Sequence, residues 1–93
     1  MVSFNEKVLM ICSRIPKGKV STYKEIARKI GSPNSARAVG NALNKNPFIG
    51  KIPCHRVIRS DGFVGGYAKG TKRKIALLKK EGIKIDKNGK IIL

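Results

Sequence analysis

Thr22-Tyr23-Lys24-Glu25-Ile26-Ala27-Arg28-Lys29-Ile30-Gly31, followed after Ser32-Pro33 by a run to about Asn44, is the stretch from which the fold is read. Thr22 and Glu25 have capping-box spacing, which satisfies backbone N–H groups left free at a helix start. Ile26, Ala27 and Ile30 then share one helical face, and Gly31 stands where a C-cap glycine ends a helix. The following run turns Ala36, Val39 and Leu43 inward and leaves Arg37, Asn41 and Asn44 on other faces. Two short helices joined by a tight glycine-containing turn suggest a helix-turn-helix, whose second member enters a nucleic-acid groove. The same spacing suits an ordinary three-helix bundle with a solvated basic face. Arg37-Ala38-Val39-Gly40 favours the former, because small residues let a DNA backbone approach closely.

Upstream, Ser3 to Ile15 reads as an amphipathic helix with Phe4, Val8, Ile11, Cys12 and Ile15 on one stripe and Ser3 and Glu6 as another capping box. Pro16-Lys17-Gly18 ends it, and Lys19 to Ser21 is extended. Downstream, Lys45 to Tyr67 loses helical periodicity and becomes rich in Pro and Gly, the composition of a functional loop region. Within it Arg56-Val57-Ile58 reads as a strand turning at Ser60-Asp61-Gly62 into Phe63-Val64, a hairpin suited to be a wing. Thr71 begins a last helix carrying Ile75 and Leu78 and ending at Glu81-Gly82. Asn88-Gly89, between Ile83-Lys84-Ile85 and Ile91-Ile92, signals a terminal hairpin. The expected fold is mainly α with small β: a winged helix-turn-helix DNA-binding domain, three-helix-bundle-like, with residues 1–93 as one domain.

Ninety-three residues bury roughly 60–65% of the unfolded chain's surface, enough for one modest core. Twenty-one Lys and Arg against five Asp and Glu give a net charge of +16. That excess reads first as affinity for phosphate, with an anionic membrane surface as the rival. No apolar run approaches the roughly 20 residues that span a bilayer, and the N-terminus lacks a secretory pattern, so a cytoplasmic location is expected. Two cysteines are too few for a stapled secreted scaffold, and no CxxC or His pair suggests a metal. No cofactor is called for.

Pro53-Cys54-His55-Arg56 carries the chemistry. A thiol attacks as thiolate, and neighbouring cationic or hydrogen-bonding groups favour that ion. Cys12, on the apolar stripe of the first helix, reads instead as a small core residue. Pro53 holds Ile52 extended. Successive residues of an extended backbone point opposite ways, so His55 meets the Cys54 sulfur only if the chain bends at Pro53 or a water relays the proton, the latter being the more natural. A carboxylate on the far ring nitrogen would fix the tautomer. With Glu6 and Glu25 in caps, Asp61 in a turn and Asp86 beside a hairpin, Glu81 remains by elimination.

Together these segments resemble the C-terminal domain of O6-alkylguanine-DNA alkyltransferases, suicide repair proteins that move an alkyl group from damaged guanine to their own cysteine. The likeness rests on Val20-Ser21-Thr22-Tyr23, Ala36-Arg37-Ala38-Val39-Gly40, Asn46-Pro47, Ile52-Pro53-Cys54-His55-Arg56-Val57-Ile58, Gly62, Val64-Gly65, Tyr67 and Glu81-Gly82, nearly the whole chain. It implies that Cys54 is the alkyl acceptor, that His55, a water and Glu81 withdraw its proton, that Tyr23 protonates the departing guanine, and that Asn46 braces the cysteine loop. It also implies that Arg37 fills the gap left by an extruded base. Ala36, Ala38, Gly40, Asn41 and Arg56 would join Arg37 in contacting the minor groove of the duplex. Val57, Val64, Tyr67 and Ala68 would form the substrate pocket, the carbonyls of Cys54 and Val57 taking the guanine amino group and the amide near Ala68 taking O6.

Relatives often have Ser where Ala68 stands and Pro where Ile49 stands, and Lys69 occupies a position that varies. Many also carry an N-terminal domain, which this chain is expected to lack. Whether a separate chain supplies it or the protein works alone as a monomer stays open. The partner implied is double-stranded DNA containing O6-alkylguanine, and no membrane. The reaction implied is single-turnover transfer of an alkyl (methyl) group to Cys54, that of a methylated-DNA–protein-cysteine methyltransferase. The alternative is an alkyltransferase-like protein that binds the lesion without repairing it. Such sensors typically replace the acceptor cysteine, often with Trp, so the presence of Cys54 separates the two.

Overall fold

The computed structural model describes residues 3–46, 51–67 and 69–92. Among these, α1 (Phe4–Ser13), β1 (Ser21–Thr22), α2 (Tyr23–Ile30), α3 (Ala36–Asn44), a 3-10 turn (Cys54–Arg56), β2 (Val57–Ile58) and α4 (Thr71–Lys80) follow in order. The chain is mainly helical with a small sheet, as its sequence implies.

Local chemistry sets the helix ends. Ser3 Oγ accepts the Glu6 amide at 3.1 Å and Thr22 Oγ1 accepts the Glu25 amide at 3.0 Å. Gly31 closes α2 at φ 88°, a left-handed conformation that strains any residue with a Cβ. Its N–H bonds to Arg28 O, and the Ser32 N–H reaches Ala27 O at 2.9 Å. α1 ends earlier than the expected Ile15, capped by Arg14, although Ile15 itself is buried. α3 begins only at Ala36, because the Ser35 N–H folds back onto Ser32 O at 3.0 Å and spends residues 33–35 on the turn. Ala36 is therefore half-buried, and Val39, Ala42 and Leu43 supply the helix's buried face.

α1, α2 and α3 enclose one core of Val8, Cys12, Ile15, Ile26, Ala27, Val39, Ala42 and Leu43, which Cys54 and Val57 join from the loop region. A second cluster of Ile58, Val64, Leu78 and Ile85 seats α4. Val8, Ile26, Val39 and Leu78 are fully buried, each stabilising by about 1.5–3 kcal/mol.

The sheet corrects the expected wing. β2 pairs in parallel with β1, Ser21 opposite Val57 and Thr22 opposite Ile58, and among the described residues no ladder joins β2 to Phe63-Val64. Residues 59–63 make a tight turn closed by the Arg59 N–H on Phe63 O at 2.9 Å. Phe63 then bridges to Lys90, within the terminal hairpin that Asn88-Gly89 announces. The consequence is positional: β1 delivers Tyr23, the first residue of α2, alongside the segment that leaves Cys54.

Candidate active site

Pro53, at φ −79° and ψ 62°, starts a 3-10 turn and not the extended run expected there. The Cys54 N–H reaches Ile52 O at 2.8 Å and the Arg56 N–H reaches Pro53 O at 3.0 Å. This turn sends Cys54 inward, where it is 5% exposed against the core, and sends His55 and Arg56 toward the end of α4. A cavity of about 400 Å³ borders the cysteine's two chain neighbours, Pro53 and His55, together with Tyr67. That is within the size range of small-ligand sites.

Glu81, the residue reached by elimination, is the hub of a partly buried ion cluster. Arg56 grips its carboxylate with Nε at 2.9 Å and Nη2 at 2.7 Å, while His55 Nε2 lies 2.9 Å from Oε2. The Arg56 bonds, outweighing the burial that opposes them, hold the Glu81 carboxyl at about 2, below its ordinary 4.5. An ionised carboxylate only accepts hydrogen bonds, so His55 Nε2 carries the proton that faces Glu81, and in the neutral ring the lone pair then falls on Nδ1. Arg56 Nη1 also donates to Ile15 O at 2.8 Å. Arg56 was expected at the DNA face and as part of the cationic field on Cys54; its guanidinium is instead mostly buried and engaged by Glu81 and Ile15.

The sequence reading missed Lys74. It is fully buried, and its ammonium donates to Val57 O at 2.6 Å, Gly66 O at 3.1 Å and Tyr23 Oη at 3.4 Å, one acceptor for each of its three protons. Burial lowers its pKa from 10.5 to about 8, with the charges of Cys54 and Cys12 opposing. A signal was present: Lys74 lies four residues before Leu78, on the helix face that packs inward.

Tyr23 thus accepts from Lys74 and keeps its own proton for donation, directed at Gly66 O over a long 3.5 Å. Burial raises its pKa, which preserves the neutral phenol. Gly65 sits beside it at φ 76°, a left-handed conformation that strains any residue with a Cβ, and a Cβ there would also press on Arg59 Cγ at 3.1 Å.

Of the remaining expected residues, Arg37, Ala38 and Asn41 are exposed along α3, with Ala36 and Gly40 half-buried. Arg37 makes no hydrogen bond or ion pair among the described residues and borders a depression shared with Tyr23, Lys24 and Arg59. A Cβ on Gly40 would meet the Tyr23 ring at 3.9 Å, an ordinary contact. Asn46 is buried, its N–H bonded to Leu43 O at 3.1 Å.

The Val57 side chain is in the core; its carbonyl accepts from Lys74, and the Cys54 carbonyl accepts from the Val57 N–H. Tyr67 lines the cavity, and its phenol pKa is raised chiefly by burial. Val64, expected in the pocket, is taken up by the second core instead. Ala68 and Ile49 lie outside the described residues.

Cys12, buried beside Cys54 in the core, has its thiol pushed up to about 12, chiefly by burial, as suits a packing residue. No group of metal-ligating side chains occurs among the described residues, and no described helix is long and apolar enough to cross a membrane.

Residues 3–83 match the family model of the 6-O-methylguanine DNA methyltransferase DNA-binding domain. A methylated-DNA–protein-cysteine methyltransferase of Saccharolobus islandicus is 55% identical over 82 residues, covering 88% of this chain and 52% of its own length. One of the same name from Methanothermobacter thermautotrophicus is 47% identical over 83 residues, covering 89% and 46%. The chain therefore spans about half the length of these curated relatives. Among solved structures, Mycobacterium tuberculosis OGT in complex with DNA superposes with a TM-score of 0.84 at 44% identity, over 88% of this chain and 50% of that one. S. pombe Atl1 in complex with damaged DNA containing O6-carboxymethylguanine gives 0.82 at 38% identity, over 97% and 87%.

Proposed function

The chain belongs to the 6-O-methylguanine DNA methyltransferase DNA-binding-domain family, and from that premise we propose that it repairs duplex DNA by single-turnover alkyl transfer from O6-alkylguanine to Cys54. The observation that supports the proposal most is the 2.9 Å contact between Glu81 and His55 on the turn that bears Cys54, with Tyr23 accepting from Lys74 at the end of the strand paired to that segment.

His55 Nδ1 takes the thiol proton through a bridging water, and Glu81 stabilises the imidazolium that results. The Cys54 thiolate attacks the carbon on O6. The S–C bond forms as the C–O6 bond breaks, and its electron pair passes into the purine, where Tyr23 protonates the ring nitrogen. Lys74, donating to Tyr23 Oη, supports the phenolate that this leaves. The carbonyls of Cys54 and Val57 take the guanine amino group. Tyr67 walls the cavity, the amide near Ala68 would take O6, and Asn46 braces the turn. The product is a thioether, which no described residue is placed to hydrolyse.

The exposed face of α3 enters the minor groove, with Ala36, Ala38, Gly40 and Asn41 against the backbone and Arg37 in the space vacated by the extruded base. The net charge of +16 supplies attraction for phosphate. This reading treats residues 1–93 as one catalytic and DNA-binding unit, equivalent to the C-terminal domain of the longer relatives and acting as a cytoplasmic monomer.

A second reading, lesion binding without repair, gains from the 87% of S. pombe Atl1 that this chain covers. Cys54 weighs against it. The two separate when a duplex carrying O6-methylguanine is incubated with the wild type and with Cys54→Ala. Restored guanine in the wild-type reaction, with binding alone in the variant, supports transfer; binding alone in both establishes the sensor.

A further inference from the structure

The cavity beside Cys54 carries charges that a methyl group does not use. Its described lining is Ile52, Pro53, His55, Tyr67, Lys69, Arg73 and Leu77, with no carboxylate among them. Lys69 and Arg73, from the loop before α4 and its first turn, form a cationic wall. Neither makes a hydrogen bond or ion pair among the described residues, and Glu81 is engaged by Arg56 and His55. Tyr67 lines the same cavity, between this wall and the turn whose Pro53 and His55 flank the acceptor.

We infer that this cavity favours O6-alkyl groups ending in a carboxylate, with Lys69 and Arg73 as the residues that determine the preference. The inference rests on the alkyl-transfer reading for its chemistry and concerns which alkyl group the site accepts. An anionic substituent one carbon from the reacting centre is repelled by an approaching thiolate. Two cations on the cavity wall offset that repulsion, and the guanidinium can hold a carboxylate by two parallel hydrogen bonds. In the transfer, the S–CH2 bond forms and the CH2–O6 bond breaks. The electron pair stays with guanine, and the carboxylate remains on the new thioether.

The test uses duplexes identical except at O6, bearing methyl, carboxymethyl, or carbamoylmethyl as a neutral group of matching shape. Binding is measured with Cys54→Ala, alone and combined with Lys69→Gln and Arg73→Gln, so the readout does not depend on transfer. The expected result is tighter binding of carboxymethyl than of carbamoylmethyl by about three- to tenfold, the range of partly solvated charge pairs, lost in the Gln variants and weakened by salt. A ratio near one in Cys54→Ala overturns the inference. So does an equal loss for all three duplexes in the Gln variants, which identifies Lys69 and Arg73 as phosphate contacts. Methyl transfer by the wild type, measured in parallel, tests the alkyl-transfer reading separately.

Discussion

Glu81 holds Arg56 through two parallel hydrogen bonds, at 2.9 and 2.7 Å, and places the same carboxylate 2.9 Å from the ring of His55. One acidic side chain thus joins the end of α4 to the turn that carries the cysteine, fixing both the position of that turn and the tautomer of its histidine.

Stability should therefore depend on pH through Glu81. Its carboxyl lies at about 2 when folded and near 4.5 otherwise, so the stabilisation is fully present above pH 4.5 and is lost as pH falls toward 2. Its size is about 3 kcal/mol. Denaturant melts of the wild type and Glu81→Gln should differ by that amount at pH 7 and converge near pH 2. A gap independent of pH would show that the ion cluster is not its source. Transfer by Glu81→Gln should also slow, because the glutamine amide can equally well donate to His55 and so no longer fixes which nitrogen keeps the lone pair.

Lys74 works with the opposite sign. Its pKa is depressed to about 8 from 10.5, so the burden of burying the ammonium is full below pH 8 and lifts as pH rises to 10.5. Between those limits the wild type should gain stability relative to Lys74→Met, by up to about 1.4 kcal/mol per pH unit, measured by denaturant melts at pH 7, 9 and 10. Parallel pH profiles for the two proteins would contradict a buried, partnered ammonium. In Lys74→Met, Tyr23 loses its 3.4 Å donor, and transfer should fall more than lesion binding does.

How much of this is legible in the chain depends on how local each interaction is. The caps at Ser3 and Thr22 and the stop at Gly31 are read directly, because residues three or four apart decide them. Glu81 is reached by exclusion, since five carboxylates leave few choices. The wing is misread because the true partner of Val57 and Ile58 is Ser21-Thr22, far upstream, and short-range patterning leaves no trace of such pairing. Arg56 is misplaced for a similar reason: exposed and buried arginines look alike until the acid they meet is located. Lys74 escapes notice among so many solvated lysines, although its place on the inner face of α4 marks it.

Arg37 is exposed and unengaged among the described residues, so replacing it should leave the fold intact. Arg37→Ala should slow transfer from a duplex lesion by tenfold or more, since filling the vacated stack offsets part of an unpairing cost of a few kcal/mol. Transfer from a single-stranded oligonucleotide, whose base is already free, should change far less. Equal losses on both substrates, read from single-turnover rates, would assign Arg37 to plain phosphate attraction.

The central claim is that the sulfur of Cys54 becomes the permanent home of the alkyl group. Intact-protein mass measured after incubation with one equivalent of duplex containing O6-methylguanine should rise by a single methyl mass, with fragmentation placing it on the peptide that holds Cys54 and leaving Cys12 unmodified. An unchanged mass in protein that demonstrably binds the lesion, or a methyl found anywhere but Cys54, would contradict the account.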